Sequence, residues 1–315
     1  MSAIFKLSPQ RFGYNSGEMR RLCPPLLFIL SILLSACLSN SASSNGSGSS
    51  TYIQNKGSDT IVNLALAWAE RYQQEHPEVR ISVTGGGTGT GMAALISGTV
   101  DIANASRQIK SEEVQEAEKN GIEPHEYVIA RDAIAVIVNP ENPIDQLTLE
   151  QVSRIYRGEI NNWKELGSYD RPIVRVSRET NSGTHVYFLE SVIRLGDSDN
   201  KFLFSTDTLL LPSSEGIIAE VSENPNAIGY DGLGYVTPTV KMIALAEDPQ
   251  GPFVIPSAET VTDGSYPVSR DLYMYTGSAP SAATQAYLKW IHEAEAQKIV
   301  SELGFVPITS QAEIR

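Results

Sequence analysis

Ser58, Thr60, Thr88, Ser182 and Thr184 fall in three short segments rich in glycine, serine and threonine, each at the mouth of an expected helix. The segments are Lys56-Gly57-Ser58-Asp59-Thr60, Gly85-Gly86-Gly87-Thr88-Gly89-Thr90-Gly91 and Arg178-Glu179-Thr180-Asn181-Ser182-Gly183-Thr184. A helix N-terminus presents unpaired N–H groups and the positive end of a dipole. Glycine lets the backbone approach a ligand, and hydroxyls add donors. Arg178 adds a bidentate fork that matches a phosphate or carboxylate. Three such loops in one chain predict converging segments that hold a small oxyanion.

Other chemistries fit less well. No window of residues 85–98 matches G-x-G-x-x-G, and no Gly-Lys-Ser/Thr follows, so neither a dinucleotide fingerprint nor a P-loop is present. Ser182 and His185 invite a hydrolase reading, but the context is not Gly-x-Ser-x-Gly and no acidic residue is placed to orient the histidine. The histidines (His76, His125, His185 and His292) are scattered, without metal-ligand spacing. The sequence therefore predicts no metal, no cofactor and no catalytic residue.

The elements that must position these loops alternate between helix and strand. Ile61, Leu64, Ala65, Trp68 and Tyr72 recur at helical spacing, and His76-Pro77 ends that helix. Val79, Ile81 and Val83 alternate as a strand leading into the glycine-rich loop. A second helix begins at residues 92–96 and closes at Gly98; residues 100–103 read as a short buried strand. Residues 111–120 form a charged helix ending at Gly121. Residues 133–138 are apolar throughout, the pattern of a strand buried on both faces. Thr148-x-x-Gln151 is a capping box. Ile173, Val174 and Val176 make a strand before Arg178, and residues 186–193 the helix after the third loop. An aromatic-rich strand covers 228–236, another 272–275, and a long amphipathic helix lies within 281–303. This order predicts an α/β fold with a mostly parallel sheet and right-handed crossovers. Trp68, Trp163 and Trp290 read as core.

The first 50 residues carry an address rather than a fold. Arg20 and Arg21 precede an apolar run over 26–34, then Leu34-Ser35-Ala36-Cys37 and a Ser/Asn/Gly-rich stretch. This is the layout of a secretory signal peptide, and the run is too short to span a bilayer. Met19 is the expected start, which would make residues 1–18 an extension ahead of it. The Leu-Ser-Ala-Cys ending resembles a bacterial lipoprotein lipobox, which implies cleavage before Cys37 and lipidation of its thiol. Residues 37–50 then form an anchor and flexible tether. Cys23 is lost with the signal peptide and Cys37 takes lipid, so no disulfide is expected.

The chain carries 24 Lys+Arg and 37 Asp+Glu, a net charge of −13. Residues 1–36 hold four basic residues and one acidic one, so their removal leaves −16. That balance excludes a nucleic-acid or anionic-lipid surface partner. It does not exclude an anion ligand, because local dipoles and one arginine set the potential at a site. The remaining residues, about 265, exceed one usual core, so two lobes are expected.

Several stretches together make the chain similar to the phosphate-binding substrate receptors of ABC importers. They are Gly57-Ser58-Asp59-Thr60, residues 85–91, Gly98-Thr99-Val100-Asp101-Ile102-Ala103-Asn104-Ala105-Ser106-Arg107, Gly158-Glu159-Ile160-Asn161-Asn162-Trp163, residues 178–184 and Asn226-Ala227-Ile228-Gly229-Tyr230. The resemblance runs from about residue 52 to 307. It implies a two-lobed periplasmic-binding-protein fold, each lobe a mixed, mostly parallel sheet flanked by helices, with two hinge strands. The implied division is 52–132 with 272–315 as lobe 1 and 133–271 as lobe 2. It also implies inorganic phosphate in the cleft, a membrane permease as partner, a lipid-anchored, extracytoplasmic monomer, and no enzymatic activity. The implied ligands are Ser58, Asp59, Thr60, Thr88, Ser106 and Arg107 from one lobe and Arg178, Ser182, Gly183 and Thr184 from the other. Some members place an aspartate where this chain has Arg107, to accept the proton of bound phosphate. Asp59 is the expected substitute, with capping of its own helix as the alternative role. Another tetrahedral oxyanion (phosphite, sulfate, molybdate or a phosphonate) suits the same cradle, and a secreted phosphoesterase using Ser182 or Thr184 is the alternative from a different class.

Overall fold

The structure is a computed structural model that describes residues 51–308. The expected signal peptide, Cys37 and the expected tether lie outside the described residues. The chain begins with β1 (Thr51–Gly57), α1 (Val62–Glu75), β2 (Val79–Thr84), α2 (Thr88–Ile96), β3 (Ile102–Ala105) and α3 (Ser111–Lys119). A long strand, β4 (His125–Val138), follows. Then come β5 (Gln146–Thr148), α4 (Leu149–Tyr156), β6 (Val174–Arg178), α5 (Gly183–Phe188), β7 (Leu209–Leu211), α6 (Ser214–Glu223) and β8 (Ala227–Gly232). After β9 (Lys241–Met242), β10 (Ala244–Ala246) and α7 (Ala258–Thr262), the chain returns through β11 (Ser269–Thr276) and ends in α8 (Ala282–Ile291) and α9 (Ala294–Glu302).

One ladder runs β2-β1-β3-β11-β4-β8-β6-β7, with β9 attached to β4, while β5 and β10 pair separately. Pairing is parallel among β2, β1 and β3 and among β8, β6 and β7. It is antiparallel where β11 meets β3 and β4, and where β4 meets β8. β4 is therefore shared. It pairs with β11 up to Ala133 and with β8 from Ile134 onward. Ile134 N–H also donates to Val268 O at 2.8 Å, so the chain crosses between the halves at residues 132–134 and again at 268–270. This is a two-lobed α/β fold whose lobes are joined by strands.

Side-chain alternation explains the uninterrupted apolar run of β4. Ala135 and Ile137 enter the core that contains Trp68, Leu272 and Tyr287. Ile134, Val136 and Val138 enter the core beneath Tyr156, Trp163 and Phe188 on the opposite face. Successive strand residues point to opposite sides, so a strand covered on both must be apolar at every position. A smaller core of Met92, Leu95, Ala103, Ala105, Tyr273 and Tyr275 seats α2. All three tryptophans are buried. The Thr148 box is present: Gln151 N–H donates to Thr148 Oγ1 at 3.1 Å, and Thr148 N–H to Gln151 Oε1 at 2.8 Å.

Four element expectations are corrected. The run at 133–138 is the second half of a fourteen-residue strand. The expected strand over 228–236 stops at Gly232 and turns into a short 3-10 segment, because Leu233 N–H is captured by Asp132 Oδ1 at 3.0 Å. The helix after the third loop starts at Gly183 and finishes as a π turn over Leu189–Ile193. The long C-terminal helix is two helices, because Glu293 leaves helical geometry (φ −83, ψ 158).

Candidate functional site

The hydroxyl-bearing loops meet where β1, β3 and β6 end, at the carboxyl edge of the parallel strands, where open α/β sheets bind ligands. Ser58 Oγ donates to Ser106 Oγ at 2.9 Å, and Ser106 N–H donates to Thr88 Oγ1 at 3.1 Å. From the opposite side, Ser182 Oγ caps α5 by accepting from Thr184 N–H at 3.2 Å. Thr184 Oγ1 lies 2.7 Å from Thr60 Oγ1 across 124 residues of sequence. Ser58, Thr60, Thr88, Ser106, Ser182 and Thr184 are all buried. Buried hydroxyls are retained where they have partners, since an unsatisfied one costs about 1–3 kcal/mol.

Gly183 makes the approach possible. A Cβ added there would lie 2.4 Å from Thr88 Oγ1 and 2.6 Å from Ser106 Oγ. Gly57 serves the first loop: its φ of +148 favours glycine, and a Cβ would lie 2.2 Å from Asn104 O.

Two arginines and three aspartates surround the hydroxyls. Arg178 Nη1 donates to Ser214 Oγ at 2.9 Å, and its Nη2 to Asp59 Oδ2 at 2.7 Å and Pro212 O at 2.9 Å. Its Nε is taken up by no described residue. Ser214 Oγ donates onward to Asp231 Oδ1 at 3.0 Å. Arg270 pairs with Asp132 at 3.0 Å, both buried. Burial pushes the Asp231 carboxyl up to about 6 against the pull of Arg178. Burial likewise raises Asp132, opposed by Arg270. Desolvation disfavours each carboxylate and the neighbouring guanidinium favours it.

The two sides are also joined at the rim. Gly89 N–H donates to Asn181 O at 2.9 Å, and Asn181 Nδ2 to Gly86 O at 3.0 Å.

Residues 42–295 match the model of the PBP superfamily domain. The phosphate-binding protein PstS of Pseudomonas aeruginosa is 33% identical over 282 residues, covering 84% of this chain and 85% of that protein. Its namesake from Staphylococcus saprophyticus is 31% identical over 287 residues, covering 88% and 86%. The chain belongs to the phosphate-binding protein family of the PBP superfamily. A Clostridium perfringens substrate-binding protein assigned to phosphate ABC transport, solved with bound phosphate, is 31% identical with a TM-score of 0.73, covering 82% of this chain and all of that one. An ABC-type phosphate transport receptor from Vibrio cholerae is 29% identical with a TM-score of 0.65, covering 81% and all of that chain. These family members are transport proteins that bind a substrate, not enzymes.

Among the residues that family resemblance nominated, Ser58, Thr60, Thr88, Ser106, Arg178, Ser182, Gly183 and Thr184 come together. Arg107 does not join them. Its guanidinium is committed to Glu113, Nη1 to Oε2 at 2.8 Å and Nη2 to Oε1 at 2.7 Å, and Nη1 also donates to Gln108 O. Burial pushes the Glu113 carboxyl up, but the Arg107 hydrogen bonds and Lys110 N–H outweigh it and leave the group lowered. Asp59 is at the site with both oxygens engaged: Oδ2 by Arg178, Oδ1 by Gly86 N–H at 2.8 Å. It ties two loops together, and each oxygen keeps a second lone pair with which to accept. His185 places Nδ1 3.1 Å from Ser177 Oγ and stacks its ring on Phe204, so among the described residues it makes no hydrogen bond to Ser182.

Sequence reasoning missed Asp132, Asn181, Ser214, Asp231 and Arg270. Asp132 and Asp231 did carry a signal: each is a charged residue abutting or interrupting an apolar run, which a core tolerates only with a partner.

Proposed function

We propose that this protein is an extracytoplasmic receptor that captures inorganic phosphate between its lobes and delivers it to an ABC importer. The observation that carries the reading is the convergence of six buried hydroxyls from both lobes beside the Arg178 guanidinium. The relative solved with phosphate supports the choice of anion. The lobes in this reading are residues 52–132 with 269–308, and 133–268. Supporting that division is the change of partner along β4, from β11 to β8, between Ala133 and Ile134.

Ser58, Thr60, Thr88, Ser106, Ser182 and Thr184 supply donors. Arg178 supplies positive charge and an Nε–H that no described residue takes up. Gly183 lets the walls close to contact. Closure excludes water, which strengthens every hydrogen bond to the anion. No bond is made or broken, and release requires the lobes to part. Cys37 carries the lipid that holds the receptor at the membrane, and residues 38–50 are the tether.

The test is calorimetric titration of lipid-free protein (residues 38–315), stripped of endogenous anion, with phosphate in competition with sulfate and phosphite. The reading predicts one-to-one phosphate binding that excess sulfate leaves intact. Preference for sulfate or phosphite would assign the cradle to that anion, and no binding would refute the receptor.

A further inference from the structure

Arg270 stands where the chain crosses between the lobes, on β11, with its guanidinium buried. Nη1 donates to Ser106 O at 2.8 Å, on the wall formed by the end of β3. Nη2 donates to Thr184 Oγ1 at 3.0 Å, on the wall formed by α5. Nη2 and Nε both donate to Asp132 Oδ2, at 3.0 and 3.3 Å, so the buried charge is balanced at the other crossing strand. One side chain thus touches both walls of the site and both crossing segments. No sequence motif announced it.

Arginine has five donors and no acceptor. In its bond with Arg270, Thr184 Oγ1 must be the acceptor, which leaves its own hydrogen to be donated elsewhere. Thr60 Oγ1, 2.7 Å away, marks the side on which that hydroxyl faces the opposite loop. A hydroxyl that accepts from a guanidinium is polarised into a stronger donor.

We propose that Arg270 is a positioning residue for the anion site: it presents the Thr184 hydroxyl as a donor and fixes that setting to the strand crossing between the lobes. The inference rests on the receptor reading above. Arg270 acts through Thr184 and through the register of the two walls, not by contact with the anion. Lysine is no substitute, since one ammonium on a flexible stem cannot serve Ser106, Asp132 and Thr184 from separate nitrogens.

The test is a double-mutant cycle in phosphate affinity, using the purified protein and the variants Thr184→Val, Arg270→Lys and the two combined. Losing a hydrogen bond to a charged ligand corresponds to about tenfold to a hundredfold in affinity. Each single variant is expected to lose on that scale, and the double to bind no worse than the weaker single, because Arg270 has no hydroxyl left to set. Thr184→Ser, which keeps the hydroxyl, should restore sensitivity to Arg270→Lys. Losses that simply add, or an Arg270→Lys protein that binds like the wild type, would overturn the inference while leaving the receptor intact. A wild type that binds neither phosphate, sulfate nor phosphite would overturn the receptor reading and this inference with it. If Arg270→Lys fails to fold, Arg270→Gln with Asp132→Asn removes both buried charges at once and enters the same cycle.

Discussion

Arg178 is largely committed to the protein itself: Ser214, Asp59 and Pro212 take up both of its terminal nitrogens. Its relay through Ser214 ends on Asp231, whose Oδ2 takes no hydrogen bond among the described residues. Burial holds that carboxyl's proton up to about pH 6, whereas an unfolded aspartate releases it at about 3.9. Between those values the folded state binds the extra proton, so its contribution to stability is fully present below the unfolded value and is lost as pH rises to about 6. Urea unfolding at a series of pH values should show stability falling across that window. Asp231→Asn should shrink the step; an unchanged profile would contradict the assignment. The raising of Asp132 acts in the same direction and stays in the variant. At this scale the hydroxyls were legible, since each sits in a local motif of glycine, serine and threonine. Arg270 was not, because it meets the hydroxyls only through the sheet; Asp132 and Asp231 showed only as charges at apolar runs, with nothing local to name their partners. Arg107 was misplaced because its neighbour Ser106 is at the site, while its actual partner, Glu113, lies in the next helix.

At the scale of elements, the site depends on how closely α5 can approach the end of β3 and the start of α2. Gly183 sets that approach, and its substitution by alanine would place a methyl group within 2.6 Å of two hydroxyl oxygens. Gly183→Ala should therefore leave the protein folded but hold the walls apart, with phosphate affinity lowered by at least about tenfold, the value of one hydrogen bond to a charged ligand. Calorimetry with a parallel thermal melt checks this, and wild-type affinity in a folded variant would contradict it. Most elements were legible because their periodicity is strong: the α1 stripe, the alternation of β2, and the two-sided burial of β4. The first half of β4 was hidden, since residues 125–132 mix charged and apolar side chains and become a strand by pairing with β11, 140 residues away in sequence at Arg131–Asp271. The break between α8 and α9 was hidden too. No glycine or proline marks it; His292 instead places its ring nitrogens against Leu288 O and Val128 O, at 2.8 and 2.9 Å.

At the scale of the whole molecule, alternating helix and strand patterns announced an α/β chain, and its length announced two lobes. The single ladder through both lobes was not legible, because the antiparallel joins of β11 and β4 depend on the chain returning from a distant segment. In the receptor reading, an acidic protein with a net charge of −13 would hold its anion by local means: buried hydroxyls and a guanidinium, with the walls closed around them. The central claim is that one anion is gripped from both lobes at once. The most direct measurement is the phosphate affinity of Ser58→Ala, from the first lobe, and Arg178→Ala, from the second, beside the wild type. Ser58→Ala should lose about tenfold or more. Arg178→Ala should lose several kcal/mol, about the scale of a buried charge pair broken on one side. Wild-type affinity in either folded variant would show that its lobe does not hold the anion, and would contradict the account.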